Sequence, residues 1–366
     1  GLTSYQITGA ALAEDTVLGA KNAFAWENSA YIENDIEIND MLSINVGFRA
    51  TSYVVNGKSY FSVDPRLFGR LKLGTQSSLK ASWSSMQQYV HLLTSTGAGL
   101  PTDLWVPATE QIRPARSHQL ALGYSQTLPN QSYELNIEAY YKAMSDLIAY
   151  QSGATYLGSS LDWQDKVESN GRGCSYGLEV LLRKTLGKTT GWISYTLSKT
   201  TRQFENQNDG KPYPFKYDRR HDIGIVILHK LRENVDFSAS WMFNTGNAFT
   251  MAAGKYDILS DPEPIGNWND GMDEVHIYPG VNTFRLRSFH RLDIGFNFHK
   301  QKKKGKRTWN ISIYNVYNRQ NPFFYYFVQE RHYDMQGNYD PSQSQIKLMQ
   351  LSQFPIIPSV AYSFSF

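Results

Sequence analysis

Apolar and polar residues alternate one by one over long stretches of this chain. Across residues 133–142, Tyr133, Leu135, Ile137, Ala139 and Tyr141 alternate with Glu134, Asn136, Glu138, Tyr140 and Lys142. Across 290–299, His290, Leu292, Ile294, Phe296 and Phe298 alternate with Arg291, Asp293, Gly295, Asn297 and His299. The same period runs through 42–49 and 235–244. It returns at the very end, where Val360, Tyr362, Phe364 and Phe366 oppose Ser359, Ala361, Ser363 and Ser365. A period of two is the signature of a β-strand with two unlike faces. The polar faces hold full charges at mid-strand, which a dry core does not accept, because an unpaired buried charge costs several kcal/mol. The polar face is therefore wet, and the apolar face meets something other than water. Those are the two faces of a transmembrane barrel strand.

Read this way, the chain divides into about thirteen strands, at 22–38, 41–55, 59–73, 78–91, 116–129, 132–151, 173–186, 190–204, 218–231, 234–249, 286–300, 308–328 and 345–366. The fold class expected is an all-β, antiparallel transmembrane barrel spanning 22–366. Residues 1–21 form an N-terminal segment, read as the remnant of an extracellular loop. Between strands, short and long connections alternate. The short set is 39–40, 74–77, 130–131, 187–189, 232–233 and 301–307. The long set is 92–115, 152–172, 205–217, 251–285 and 329–344, with only 56–59 brief among them. Short periplasmic turns and long extracellular loops alternate in this way in outer-membrane barrels. The expected location is the bacterial outer membrane, with the C-terminus at the periplasmic side. An odd strand number is at variance with the even numbers of single-chain bacterial barrels. That, with Gly1 as first residue, leads to the expectation of further strands N-terminal to this sequence, the competing explanation being one uncounted strand within residues 1–20.

Composition adds what averaging permits. Mean hydropathy is −0.45, and the longest aliphatic run, Ile223 to Leu228, is far shorter than the roughly 20 residues of a spanning helix. Aromatic residues make up 14% of the chain, with 24 Tyr, enough to furnish interfacial girdles. A net charge of +3 gives no argument for nucleic acid. Cys174 is the only cysteine, so no internal disulfide forms, and it is read as inert.

Six segments, in order, carry a family likeness: Leu100 to Pro107 (LPTDLWVP), Tyr140-Tyr141-Lys142, Tyr217 to Asp222 (YDRRHD), His290 to Asp293 (HRLD), Asn315 to Pro322 (NVYNRQNP) and Pro355 to Val360 (PIIPSV). Together they resemble TonB-dependent receptors of the Bacteroidetes type. The resemblance implies a barrel of about 22 strands with an N-terminal plug, of which this chain is the C-terminal barrel portion without the plug. It implies active import of a bulky, scarce substrate such as a siderophore, glycan or peptide. It further implies an energy-coupling TonB partner acting through the plug, outer-membrane lipid around the wall and, in some members, a surface lipoprotein lid. It supplies no catalytic residues and no cofactor.

Candidate chemistry is sparse. Tyr217 to Asp222 packs two Arg, one His and two Asp into six residues. Strand parity points His221 and Asp222 apart, so the expected role is a polar tie between loop and strand rather than a metal site. The acids of 251–285 and the basic turn Lys302-Lys303-Lys304, Lys306 and Arg307 are read as solvated, the turn lying beside membrane head groups. Trp105, Trp163, Trp268 and Tyr278 in the long loops are the candidate substrate-binding residues, since exposed rings stack on sugars or aromatic chelators. Two rivals to the importer are weighed. One is an unplugged porin or fatty-acid channel. The other is an outer-membrane hydrolase built on His118 with Ser117 or Ser125, for which no further triad member or nucleophile elbow is found.

Overall fold

The computed structural model describes residues 24–97, 103–128, 131–151, 163–259, 272–333 and 339–366. Thirteen strands form one antiparallel sheet in which each pairs with its neighbours in sequence: Ala25–Glu37, Leu42–Val55, Lys58–Lys72, Ser77–Gln88, Ala115–Thr127, Tyr133–Tyr150, Val167–Lys184, Thr189–Gln203, His221–Arg232, Val235–Asn244, Phe289–Lys302, Gly305–Tyr314 and Ile357–Ser365. No α-helix occurs among the described residues. The connections at one end are short, such as 233–234 and 303–304. At the other end they are long, as in 89–114, 204–220, 245–288 and 315–356, with 56–57 the brief exception.

Register converts the alternation into two continuous faces. Residues directly opposite across an antiparallel ladder point the same way. Leu135, Leu182, Ile193, Ile225, Trp241 and Leu292 are therefore one row, running through six strands. Nearer the short turns, Val235, Phe298, Trp309 and Tyr362 make another row, with Phe237, Phe296, Ile311 and Val360 just above it. These rows lie open: Phe298, Trp309, Ile311, Val360 and Tyr362 are all exposed. A sheet with its large apolar side chains bare on one face, over its whole width, requires lipid as solvent there.

The opposite face is polar and is partly roofed by the long loops. In Leu42–Val55, Thr51, Tyr53 and Val55 are buried while the residues between them are less so. The Tyr53 ring stacks on Tyr89 at 4.7 Å, and Ala108 packs with both. Beside it lies a second cluster of Leu93, Val106, Ile112, Ile148, Trp163 and Val167, and a third of Ala115, Leu147, Ala149, Phe204 and Tyr213. The strands Val90–Leu93 and Leu104–Pro107 pair with each other within this roof. Gly171 and Gly173 leave room for it, since a Cβ on Gly171 would lie 2.2 Å from the Phe204 ring.

Two expected strands are shorter in the structure. The reading of 308–328 as one strand ends at Tyr314, because Asn315 turns the backbone to φ 53°. Asn315 is fully buried. Its side chain donates to the carbonyls of Arg319 (3.0 Å) and Phe354 (3.1 Å) and accepts from the Arg319 amide (3.0 Å). Chain beyond this point forms a separate hairpin, Pro322–Tyr333 with Tyr339–Ser352. The reading of 345–366 as one strand breaks likewise at 353–356, where Phe354 takes φ 53° and Pro355 cannot donate to a ladder. Pro358 is accommodated opposite Ile313 in the last strand, which has no second neighbour among the described residues.

Candidate functional site

At the long-loop end the polar face gathers several loops around the start of strand His221–Arg232. Tyr213–Pro214 adds to the end of Thr189–Gln203, and Phe215 N bonds to Thr200 O at 3.0 Å. This places Asp218 deep in the wall, where its carboxylate accepts from the Thr200 amide at 2.6 Å and pairs with Arg285. Arg285 also donates to the carbonyls of Asp218 (2.5 Å) and Gly246 (3.2 Å). Gly246 is needed at this crossing, since a Cβ would sit 1.8 Å from the Leu286 carbonyl. Lys216 bonds Asp103 at 2.7 Å, and the Tyr217 hydroxyl donates to the same carboxylate. Burial and the Asp103 carboxylate together push the Tyr217 phenol well above its ordinary pKa, so it stays a donor.

The segment 217–222 thus ties loops to wall. His221 shares a hydrogen bond with the Tyr195 hydroxyl at 2.9 Å, and Asp222 accepts from Asn244 at 3.2 Å. Among the described residues no group of three or more His, Cys, Asp or Glu is placed to hold a metal ion.

These ties frame a cavity of about 420 Å³ on the polar face. Its walls carry the rings of Tyr217, Phe249, Phe289, Tyr314, Phe324 and Tyr325 and the cationic ends of Lys216, Arg219 and Arg291, with no acidic side chain among the lining residues. Phe249 meets Tyr325 edge-on at 5.6 Å. Arg291 lies 4.0 Å over the Tyr314 ring, donates to its hydroxyl at 2.6 Å and pairs with Asp293 at 2.9 Å. Arg219 is held by Asn247 at 3.2 Å. Both guanidinium groups are held by neighbouring side chains, Arg219 also by Asp222 at 4.0 Å, and Arg291 lies against an aromatic face. Such a chamber suits an amphipathic small molecule bearing rings and hydrogen-bond acceptors.

The four loop aromatics do not meet here. Trp105 is exposed and lines a different hollow of about 660 Å³, beside Glu27, Arg49, Asp64 and Arg66. Trp163 is buried in the roof cluster with Leu93 and Val167. Tyr278 is exposed, in ring contact with His276 at 6.3 Å, and Trp268 lies outside the described residues. Sequence reasoning missed Arg291, Tyr314, Phe249 and Tyr325 as lining residues. For Arg291 a signal exists: a charge at polar parity near the long-loop end of a wall strand. As for the hydrolase rival, His118 shares a face with Trp83 and Leu120, whereas Ser117 and Ser125 take the other parity.

A family model described as "TonB dependent receptor-like, beta-barrel" matches residues 6–318. The chain belongs to the TonB-dependent receptor β-barrel family. No curated protein matches it. Solved structures show the same fold at low identity. The ferric-catecholate import receptor Fiu of E. coli K12 is 11% identical with a TM-score of 0.57, over 95% of this chain and 46% of that one. The ferripyoverdine receptor of the Pseudomonas aeruginosa outer membrane is 9% identical with a TM-score of 0.55, over 93% and 38%. The siderophore receptor PirA of Acinetobacter baumannii is 15% identical with a TM-score of 0.52, over 81% and 42%. The chain therefore spans less than half the length of these receptors. Family and neighbours are outer-membrane receptors and transporters, and the barrel wall described above is the TonB-dependent receptor wall.

Proposed function

We propose that this chain supplies wall and mouth to an outer-membrane importer energised by TonB. Its short turns and C-terminus lie on the periplasmic side, and cargo enters through the long-loop end. The observation that carries this reading is the chamber between Lys216, Arg219, Arg291 and the surrounding rings. It opens on the polar face of the wall, under loops that are packed and hydrogen-bonded rather than splayed. In this reading cargo meets the loops first, with exposed Trp105 and Tyr278 available for stacking, and is then handed to the chamber. Residues 22–366 act as the barrel portion, and coupling to TonB runs through a plug outside this sequence. Structural neighbours include receptors for ferripyoverdine and for a siderophore, and an iron chelator with aromatic and acceptor groups fits the chamber's chemistry. A surface lipoprotein lid is a further partner this reading admits.

The test uses the full-length receptor in its own outer membrane. Uptake of the cargo should fall to background when TonB is removed, and Arg291→Ala should weaken cargo binding about tenfold or more, as expected for loss of a charged hydrogen-bonding group. Uptake that persists without TonB would favour a passive channel.

A further inference from the structure

The short-turn end of the wall carries cations on the wrong face for a lumen. Lys300 and Arg307 are directly opposite each other, and Arg307 is opposite Phe364, so both point to the apolar side. Lys302 follows Lys300 with the same parity. Arg232 opposes Val235, which opposes Phe298, so it too points outward. Lys184 opposes Tyr133 on that face and lies over its ring at 5.6 Å.

Just above these cations sits a girdle of exposed rings, Phe298, Trp309 and Tyr362, with exposed Phe364 level with Arg307. Aromatic girdles mark the level where hydrocarbon gives way to head groups, so the cations lie at head-group depth. No acid answers them. Of the carboxylates at this end, Glu134 and Asp236 take the polar parity, with Asp236 engaged by His299 at 2.9 Å, and Glu233, in the turn beside Arg232, makes no ion pair with these cations. None of Lys184, Arg232, Lys300, Lys302 and Arg307 makes an ion pair among the described residues. Arg307 Nε is buried without a partner. Like charges directly opposite on a sheet repel, so the Lys300–Arg307 pair is a local defect unless an anion lies between them.

We infer that this patch is a binding site for the phosphate of an anionic glycerophospholipid. The girdle rings pack on its acyl chains, and Lys300, Lys302 and Arg307 clasp its head group. The ligand is a membrane lipid because the same residues that supply charge are continuous with the lipid-facing rows. It is a phospholipid rather than lipopolysaccharide because the short turns are placed on the phospholipid leaflet, a point that rests on the orientation proposed above.

The test is native mass spectrometry of the full-length receptor in detergent. The receptor is titrated with phosphatidylglycerol, phosphatidylethanolamine and lipid A. Each cation near a charged surface contributes about 1 kcal/mol, so a threefold cluster should favour phosphatidylglycerol over phosphatidylethanolamine by at least about tenfold. K300Q/K302Q/R307Q should bring that preference to within about twofold, while K58Q/K199Q/K211Q at the long-loop end leaves it intact. Raising salt should erase the preference in the unaltered receptor, a readout that does not depend on a variant folding. Equal binding of the two phospholipids, an unchanged preference in the triple variant or stronger binding of lipid A would each overturn the assignment. A flat result with TonB-dependent uptake intact removes the lipid site alone. Uptake without TonB removes the importer reading and leaves the lipid site standing.

Discussion

The wall and the roof of this molecule are held together by different solvents. In the wall, large apolar side chains such as Ile311, Val360 and Tyr362 stay bare, and order comes from the ladder, in which every strand pairs with its neighbours. In the roof, Leu93, Val106, Ile148 and Phe204 are packed away from any solvent, as in a small water-soluble domain. One chain thus contains an inverted part, apolar outside and polar inside, and an ordinary part a few residues further along the same strands. Tyr133–Tyr150 shows the change directly. Its outward row ends at Ala143, the register shifts between Met144 and Leu147, with Asp146 at φ 54°, and Leu147, Ile148 and Ala149 enter the roof. A β-bulge re-aims the side chains where the solvent changes.

Substitutions that act in one region and not the other test this division. The largest effect is expected at the seam between them. Asp218→Ala strands Arg285 beside a buried position and should cost about 3–5 kcal/mol, read as early loss of the loop end in chemical unfolding. Next comes the wall. Ile225→Arg on the apolar face should cost about 2–4 kcal/mol in lipid vesicles, whereas Ser240→Arg on the polar face of the next strand should cost under about 1 kcal/mol. Equal costs would mean the faces are not differently solvated.

The smallest effect belongs to the roof and depends on pH. Burial pulls the His91 imidazole from 6.5 down to about 4, and its Nε2 has no partner. A depressed histidine contributes its full stability above pH 6.5 and loses it as pH falls through 4, by up to about 3 kcal/mol. Amide exchange in Leu104–Pro107 should therefore quicken between pH 6.5 and 4 while wall amides do not respond. His91→Leu should abolish the difference, and a wall that loosens in parallel would show the two regions to be one cooperative unit.

What was legible in the sequence follows the same division. Alternation was plain in five of the wall strands, and the rest were placed by following the same pattern and the turns between. This works because a face that meets lipid alternates with the wet face over its depth, though 308–328 and 345–366 were read past their true ends. The short strands Val90–Leu93 and Leu104–Pro107 could not be read so, being too brief for any period to show. Trp163 illustrates the cost. In sequence it is a loop aromatic like Trp105, yet one packs in a core and the other stands in solvent, and only the fold distinguishes them. The chamber residues were hidden for another reason. Phe249, Arg291, Tyr314 and Tyr325 come from separate strands and loops, and no spacing along the chain announces that they meet.

The neck at Asn315 and Phe354 sets the hairpin off from the ladder of the wall, which its base touches through Asn321 at His290 and through Tyr325 in the chamber. The two wall strands on either side, Gly305–Tyr314 and Ile357–Ser365, are already neighbours, and the neck is closed by its own bonds, including Ile356 N to Asn318 Oδ1 at 3.0 Å. The hairpin 322–352 is therefore cargo space in the architectural sense. Its length is free to change without altering the registration of a single wall strand. It is the natural place to graft a foreign epitope or peptide.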